Sequence, residues 1–302
     1  MTSLPACGFI GLGTMGARMA MRLASADVPL TVWNRGPGTS DALAAAGAQV
    51  ARNAAAVARE ADVVFLCLAD SGAVEAVAFG PEGLAEGAAP GKIVVDFSSA
   101  APEATRALAR RMYEACGATW VDAPVTGGPL AAEQGSLALL CGGDSADLDR
   151  LAPLFAHLSS KVTHFGPVGA GQAAKLCNQI LAGTAMLACV EAVALAECTG
   201  VDPHRLAAAI ENGFASSPVT RLALPRIASR AYEPPVGTIA LILKDLKIVL
   251  TEAARAGVSL PLTAVATDTF ARAADAGFGP KEFSALIERY STSPTGNTSS
   301  SV

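Results

Sequence analysis

The chain has 302 residues, which is long enough for two domains of ordinary size. Hydrophobic residues make up 51% and charged residues 16%, a balance typical of a well-packed soluble protein with many helices. The net charge of −5 leaves no electrostatic footprint for nucleic acid, so we expect no nucleic-acid partner. No basic segment precedes the first apolar run, which predicts no signal peptide and a cytoplasmic protein.

The most apolar later stretch, residues 180–196, is interrupted by Gly183, Thr184 and Glu191. It is too short and too interrupted to span a bilayer, so we predict a buried helix and no membrane partner.

Seven cysteines are scattered along the chain without a C-x-x-C pair. An odd, unpaired set of this kind is typical of small buried hydrophobes in a reducing compartment rather than a disulfide framework. The three histidines, His157, His164 and His204, lack the spacing of metal ligands. We therefore expect no metal site.

Residues 8–23, GFIGLGTMGARMAMRL, predict a strand, a glycine turn and a helix in immediate succession. In that context the G-x-G-x-x-G pattern indicates a dinucleotide site. Gly11 permits the tight turn, Gly13 lets the backbone approach a pyrophosphate, and Gly16 lets the helix pack on the strand. The positive end of the helix then meets the phosphate charge. The predicted cofactor-binding residues of this loop are Gly11, Leu12, Gly13, Thr14, Met15 and Gly16.

The end of the second predicted strand, at residues 30–33, is where a dinucleotide-binding fold selects its cofactor. NAD enzymes usually place an Asp or Glu there to bind the ribose hydroxyls, but this chain has Asn34 and Arg35. The planar Arg35 guanidinium suits a 2′-phosphate, with a solvated loop arginine as the alternative. The sequence therefore favours NADP over NAD, with Asn34 and Arg35 at the cofactor.

Residues 63–68 form a continuous apolar run, as expected of a parallel strand covered on both faces, and residues 93–96 are the next predicted strand. Ligands lie beyond the carboxyl ends of such strands, so we expect Leu68 and the loop after it to border the cofactor. Ser99 follows the later strand. It can hydrogen-bond near the nicotinamide ribose, cap the next helix, or do both.

A strand from Trp120 runs into a polar turn formed by Thr126, Gly127 and Gly128. Adjacent glycines expose consecutive backbone N–H groups, and the threonine hydroxyl adds a further donor, so the turn suits a carboxylate. A plain hairpin-like loop is the alternative.

Lys175, Asn178 and Gln179 have the i, i+3 and i+4 spacing that places them on one face of a helix. A lysine in an otherwise apolar stretch is unusual, because burial of an ammonium group is costly and lowers its pKa. Such a lysine can exchange a proton near neutral pH, as carbonyl reduction requires. The alternative is a snorkelling lysine whose stem lies on apolar surface.

The alternation of strands and helices up to residue 165 predicts an α/β domain with a doubly wound parallel sheet. From residue 166 onward the pattern is helical, which predicts an all-α domain over 166–290; its role in substrate binding and dimerisation is implied only by the family resemblance given below. The tail, 291–302, cannot bury a core and is predicted to be disordered. The other predicted strands are 49–50, 135–141 and 162–165, and the other predicted helices are 40–46, 53–60, 144–158, 203–213, 219–230, 238–256, 261–276 and 280–290.

Four stretches together resemble the β-hydroxyacid dehydrogenase family: GFIGLGTMG at 8–16, DAPVTGG at 122–128, GAGQAAKLCNQ at 169–179 and KDL at 244–246. They occur in the family's order over nearly the whole chain. The resemblance implies a Rossmann-like domain, a long interdomain helix, an all-α domain of the 6-phosphogluconate dehydrogenase type, and a homodimer or homotetramer. It also implies hydride transfer to or from a small carboxylate-bearing substrate.

The resemblance further implies a role for particular residues. The lysine matching Lys175 acts as general acid when a carbonyl is reduced and as base in reverse. The loop matching Thr126 to Gly128 holds the substrate carboxylate. The residues matching Asn178 and Gln179 orient substrate and lysine, and the lysine matching Lys244 lies by the cofactor or substrate.

The chain departs from the family pattern in several places. Thr126 replaces the usual serine, Ala131 stands where glycine is common, and Gly237 stands where an aromatic residue is frequent. The stretch before Lys244 is unusually apolar, which favours an imine reductase of related architecture as one alternative. A non-catalytic NADP-binding module is another. For Lys244 and Asp245 themselves, a solvated helix face is the alternative interpretation.

Overall fold

The computed structural model describes residues 4–36 and 38–290. The chain forms two compact units, Met1–Lys175 and Leu176–Val302. This division falls inside the helix Ala170–Cys198, whereas the boundary predicted from the sequence precedes that helix, near Phe165. The predicted disordered tail, 291–302, lies outside the described residues.

The first unit is built on six parallel strands in the order β3-β2-β1-β4-β5-β6. The order reverses between β1 and β4, which is the arrangement of a doubly wound dinucleotide-binding sheet and confirms the predicted fold class. The strands are β1 (Cys7–Ile10), β2 (Leu30–Trp33), β3 (Gln49–Val50), β4 (Val63–Leu66), β5 (Ile93–Asp96) and β6 (Thr119–Asp122), and the helices between them are α1 (Gly16–Ala24), α2 (Asp41–Ala45), α3 (Ala54–Glu60), α4 (Ser71–Phe79) and α5 (Pro102–Cys116).

Both faces of this sheet are apolar because successive side chains point to opposite sides of a strand. Phe9 enters one buried cluster and the next residue, Ile10, enters another. On the first face the rings of Phe9 and Phe65, which are partners in the β1–β4 register, lie 5.9 Å apart. Phe97 stacks on Phe65 at 5.4 Å, and Phe155 closes the row.

A smaller mixed sheet completes the first unit. Its strands are β7 (Val125–Thr126), β8 (Leu137–Cys141) and β9 (Ser159–His164), and its helices are α6 (Gly128–Gln134) and α7 (Ser145–Leu158). Two predictions here are wrong in detail. The glycine-rich turn after residue 124 contains the short strand β7 and opens α6. The last strand begins at Ser159, earlier than the predicted start at residue 162. The prediction missed its first residues because they are polar and carry no apolar alternation.

The helix α8 (Ala170–Cys198) starts in the first unit and continues into the second, which also contains α9 (Pro203–Ile210), α10 (Pro218–Ala228), α11 (Ile239–Arg255) and α12 (Pro261–Ala273). The predicted helix at 280–290 is instead a 3-10 helix, Phe283–Arg289. The buried Glu282 carboxylate caps it by accepting the Ser284 N–H at 2.7 Å.

The prediction of a buried helix over residues 180–196 holds for one face of α8 only. Leu187, Val190 and Val193 are buried, whereas Leu181 is 73% exposed and Leu195 is 65% exposed. Among the described residues, α8 is the one helix long and apolar enough to cross a membrane by length and composition, a test that the core helix of a soluble protein also passes.

All seven cysteines are free, and their side chains range from buried to exposed. Burial raises the pKa of the Cys7, Cys67 and Cys141 thiols to about 12, which keeps them protonated at neutral pH. Cys177 and Cys198 are exposed, so the expectation of buried hydrophobes is wrong for these two. Within the described residues no group of His, Cys, Asp and Glu could hold a metal ion.

Candidate active site

The glycine loop between β1 and α1 has the shape that a dinucleotide requires. Gly11 has a φ of +94°, and a Cβ there would lie 2.3 Å from the Cys67 carbonyl oxygen. A Cβ on Gly16 would lie 1.9 Å from the Gly11 carbonyl oxygen, so the helix packs against the turn without room for a side chain. A Cβ on Gly13 would have nothing within 4 Å. The loop is thus crowded against the protein at Gly11 and Gly16 and open toward solvent at Gly13.

The N-terminus of α1 lies directly behind this loop and has no side-chain cap. The positive end of its dipole therefore faces the loop, as at helix N-termini that hold dinucleotides, and within the turn the Ala17 N–H donates to the Gly13 carbonyl at 3.0 Å. Thr14 is exposed, and Met15 is half-buried. The shape of the loop from Gly11 to Gly16 fits a pyridine nucleotide.

Asn34 and Arg35 follow β2 at the same carboxyl edge of the sheet. The Asn34 side-chain oxygen accepts the Leu12 N–H at 3.0 Å, so this amide ties the glycine loop to the exit of β2. Arg35 is exposed beside it.

Leu68 and Ser99 lie beyond β4 and β5, at the carboxyl ends of these strands. The Leu68 N–H donates to the Ser98 hydroxyl oxygen at 2.9 Å, which joins the two exit loops. Sequence reasoning missed Ser98, which is buried and which orders the loop that carries Ser99.

The predicted general acid and base, Lys175, lies against the predicted carboxylate loop. Lys175 is 9% exposed, and its Nζ donates to the Val125 carbonyl oxygen at 2.8 Å. Val125 immediately precedes Thr126, and both Gly127 (φ +130°) and Gly128 (φ +73°) have positive φ. The ammonium group is therefore held inside the first unit at the residue that precedes Thr126, rather than extended into bulk water as a snorkelling lysine would be.

Asp122, the last residue of β6, holds the start of α8 in place. Its Oδ1 accepts the Gly169 N–H and its Oδ2 accepts the Gln172 N–H, each at 2.7 Å. Burial raises the pKa of this carboxyl, and the backbone donors, including those of Gly169 and Gln172, oppose that shift. Sequence reasoning quoted Asp122 and Gln172 only as parts of motifs. The available signal was a lone carboxylate at the end of an apolar strand.

Asn178, Gln179 and Lys244 belong to the second unit, where Asp245 connects them. Asn178 donates to Gln179 at 2.9 Å, and Gln179 donates to the Asp245 Oδ2 at 2.6 Å. The Lys244 Nζ lies 3.1 Å from the Asp245 Oδ1. The Asp245 side chain is only 6% exposed, so the interpretation of this pair as a solvated helix face is wrong for Asp245. Within this unit the structure joins all three predicted residues in one polar chain.

Comparison with known proteins agrees with this geometry. Residues 6–166 match the NAD binding domain of 6-phosphogluconate dehydrogenase, and residues 169–290 match the family described as NAD-binding of NADP-dependent 3-hydroxyisobutyrate dehydrogenase. The chain is 38% identical over 281 residues to the 2-hydroxy-3-oxopropionate reductase of Escherichia coli strain K12, covering 93% of this chain and 95% of that protein. It belongs to the β-hydroxyacid dehydrogenase family.

Two solved structures support the assignment. A 3-hydroxyisobutyrate dehydrogenase from Salmonella typhimurium superimposes with a TM-score of 0.88 at 27% identity, covering 94% of this chain and 99% of that one. Psf3, solved in complex with NADP+ and 2-OPP, superimposes with a TM-score of 0.86 at 27% identity, covering 95% and 100%. The predicted family is confirmed. This dehydrogenase binds a pyridine nucleotide and oxidises or reduces hydroxy acids.

The loop geometry predicts different effects on protein stability for substitutions at Gly13 and Gly16. Gly13→Ala should leave the melting temperature unchanged, because no protein atom meets the new methyl group, but weaken nucleotide binding by roughly tenfold, about 1.4 kcal/mol. Gly16→Ala, by contrast, should lower the free energy of unfolding by about 1–3 kcal/mol through overpacking. Nucleotide titration by fluorescence and thermal melting measure the two effects. Unchanged affinity in Gly13→Ala would contradict the placement of the nucleotide on this loop.

Proposed function

We propose that this dehydrogenase uses NADP(H) to interconvert a β-hydroxy acid and its semialdehyde or keto acid, with Lys175 as general acid and base. The observation that carries this proposal is the Lys175 ammonium group held at the Val125 carbonyl, beside the Thr126–Gly128 loop. A carbonyl compound whose carboxylate occupied that loop would have its reacting oxygen near a proton donor.

Each direction of the reaction needs one proton at the substrate oxygen. In reduction Lys175 donates a proton from Nζ to the carbonyl oxygen, and in oxidation the neutral amine takes the hydroxyl proton. A nicotinamide nucleotide held by the loop from Gly11 to Gly16 would supply the hydride in reduction and accept it in oxidation. The Val125 carbonyl orients the ammonium group before the substrate arrives, which reduces the ordering that the reaction itself must supply.

The loop Thr126 to Gly128 is the proposed carboxylate site. Gly127 is exposed and Gly128 half-exposed, and a Cβ on Gly128 would have nothing within 4 Å. The backbone N–H groups and the Thr126 hydroxyl are the donors that a carboxylate needs. That a relative is a 2-hydroxy-3-oxopropionate reductase supports a small hydroxy acid as substrate.

Arg35 and the absence of a carboxylate at the end of β2 support NADP over NAD. Asn34 is engaged with the Leu12 N–H, so Arg35 is the residue of this pair that can reach a 2′-phosphate. Psf3, which binds NADP+, has the same fold over nearly the full chain.

We also propose a homodimer or homotetramer in the cytoplasm. The exposed leucines Leu181 and Leu195 on α8, together with Leu262 and Val265 on α12, leave apolar surface that a second copy would cover. The free cysteines support a reducing compartment.

The apolar stretch before Lys244 no longer favours an imine reductase. Ile239, Ile242 and Leu243 pack in the core of the second unit, so their apolar character is explained by the fold rather than by a substrate pocket. A panel of semialdehydes and cyclic imines, assayed with NADPH, separates the two activities directly.

The role of Lys175 predicts a specific loss of turnover. Lys175→Met should lower kcat by a hundredfold or more while nucleotide affinity is retained, because a positioned general acid typically contributes 10²–10⁴-fold. Lys92→Met is the matched control. Lys92 also donates to backbone carbonyls, those of Ala58 and Ala61 at 2.6 Å, but it directly precedes β5 and its Nζ contacts the C-terminal end of α3. Steady-state kinetics should show wild-type kcat for Lys92→Met, and an active Lys175→Met enzyme would remove Lys175 from the mechanism.

The role of Arg35 predicts a change in cofactor preference. Arg35→Ala should lower kcat/KM with NADPH at least tenfold more than with NADH, because only NADPH carries the 2′-phosphate. Arg59→Ala, another exposed arginine but on α3, should change neither. Equal losses with both nucleotides in Arg35→Ala would reverse the assignment of NADP.

A further inference from the structure

Gln172 is a buried amide with partners at both ends of its side chain. Its relative exposure is 0%. The Oε1 accepts the Ala100 N–H at 3.0 Å, and the Nε2 donates to the Ser98 carbonyl oxygen at 2.8 Å. One side chain therefore holds both ends of the three-residue loop that carries Ser99.

The backbone of Gln172 is held as firmly as its side chain. Its N–H donates to the Asp122 Oδ2, and that carboxylate also accepts the Gly169 N–H. A Cβ on Gly171 would lie 2.2 Å from the Leu140 carbonyl oxygen, so the first turn of α8 is packed closely against the end of β8. This turn cannot shift without breaking buried hydrogen bonds, which are costly to lose.

Gln172 also lies between Lys175 on α8 and the loops that follow β4 and β5. Lys175 is three residues further along α8, nearly one helical turn away. Ser98, whose carbonyl oxygen accepts from Gln172, also accepts the Leu68 N–H through its hydroxyl oxygen and so connects the loop to the exit of β4. A continuous set of hydrogen bonds thus links the loops expected to border the nicotinamide with the helix turn that carries the proposed proton donor.

We propose that Gln172 is a positioning residue that sets the Ser98–Ala100 loop and Lys175 relative to each other. The inference rests on the proposed function of Lys175. Gln172 acts through Lys175 and the loop and needs no contact with substrate or nucleotide. Its loss changes the relative placement of hydride and proton transfer, and a misplacement of about 1 Å costs on the order of 100-fold in rate.

The test compares Gln172→Met and Gln172→Glu with Asn53→Leu. Methionine keeps the length of the side chain and removes both hydrogen bonds, whereas glutamate keeps an acceptor for the Ala100 N–H. Asn53 is the matched control, because it is also a buried amide with partners at both ends: its Oδ1 accepts the Ala56 N–H and its Nδ2 donates to Glu82, each at 2.8 Å. It lies at the start of α3, and these hydrogen-bond partners belong neither to α8 nor to the Ser98–Ala100 loop.

We expect Gln172→Met to lower kcat by about 10- to 100-fold with a nearly unchanged KM for the nucleotide, and Gln172→Glu to give an intermediate kcat. Asn53→Leu should lose comparable thermal stability and keep the wild-type kcat. A fall in kcat for Gln172→Met that Asn53→Leu matches would show a merely structural role and overturn the proposal.

Amide hydrogen exchange gives a second readout that needs no substrate. The Ala100 N–H should exchange at least tenfold faster in Gln172→Met than in the wild-type protein or in Asn53→Leu. Exchange at the wild-type rate in Gln172→Met overturns the proposal. If the wild-type enzyme turns over no hydroxy acid, the proposed function fails, and this measurement still decides whether Gln172 holds the loop. Should Gln172→Met not fold, Gln172→Leu, which also removes both hydrogen bonds, replaces it in both measurements.

Discussion

The two hydrogen bonds from the start of α8 to the Asp122 carboxylate are the constraint on which the site depends. They connect the end of β6 to a helix turn that follows later in the chain: Gly169 lies 47 residues after Asp122, and Gln172 lies 50 residues after it. A buried carboxylate is tolerable only when donors surround it, and helix N-termini supply donors that have no partner within their own helix. The Asp122 carboxylate therefore accepts backbone N–H groups at the start of α8, and these groups in turn stabilise the buried carboxylate. The position of the first turn of α8, the helix that carries Lys175, is fixed as a result.

Further hydrogen bonds connect this first turn of α8 and the residues after it to the neighbouring loops of the first unit. The Gln172 amide reaches the loop after β5, Ser98 reaches the loop after β4, and Lys175 reaches the Val125 carbonyl. The glycine loop, which we propose as the nucleotide site, lies at the same edge of the sheet. Open α/β sheets generally place their ligand sites at this carboxyl edge.

Local patterns in the sequence predicted the fold well, and long-range polar pairs escaped prediction. The strands at 30–33 and 93–96 match the structure because buried parallel strands are short, largely apolar runs. The strand β9 was predicted to start too late because its first residues are polar. The partnership of Gln172 with Ser98, and that of Gln179 with Asp245 across 66 residues, have no periodic signature. A motif can show that such residues occur, but only the fold shows what they hold.

The central claim is that Lys175 exchanges a proton with the substrate oxygen beside a carboxylate held by Thr126 to Gly128. A crystal structure of the enzyme with NADP+ and a β-hydroxy acid tests it most directly. The account predicts the Lys175 Nζ at about 2.6–3.2 Å from the substrate hydroxyl, with the carboxylate on the glycine loop. A complex in which Lys175 Nζ contacts only the Val125 carbonyl, with the hydroxyl hydrogen-bonded to a different side chain, would contradict it.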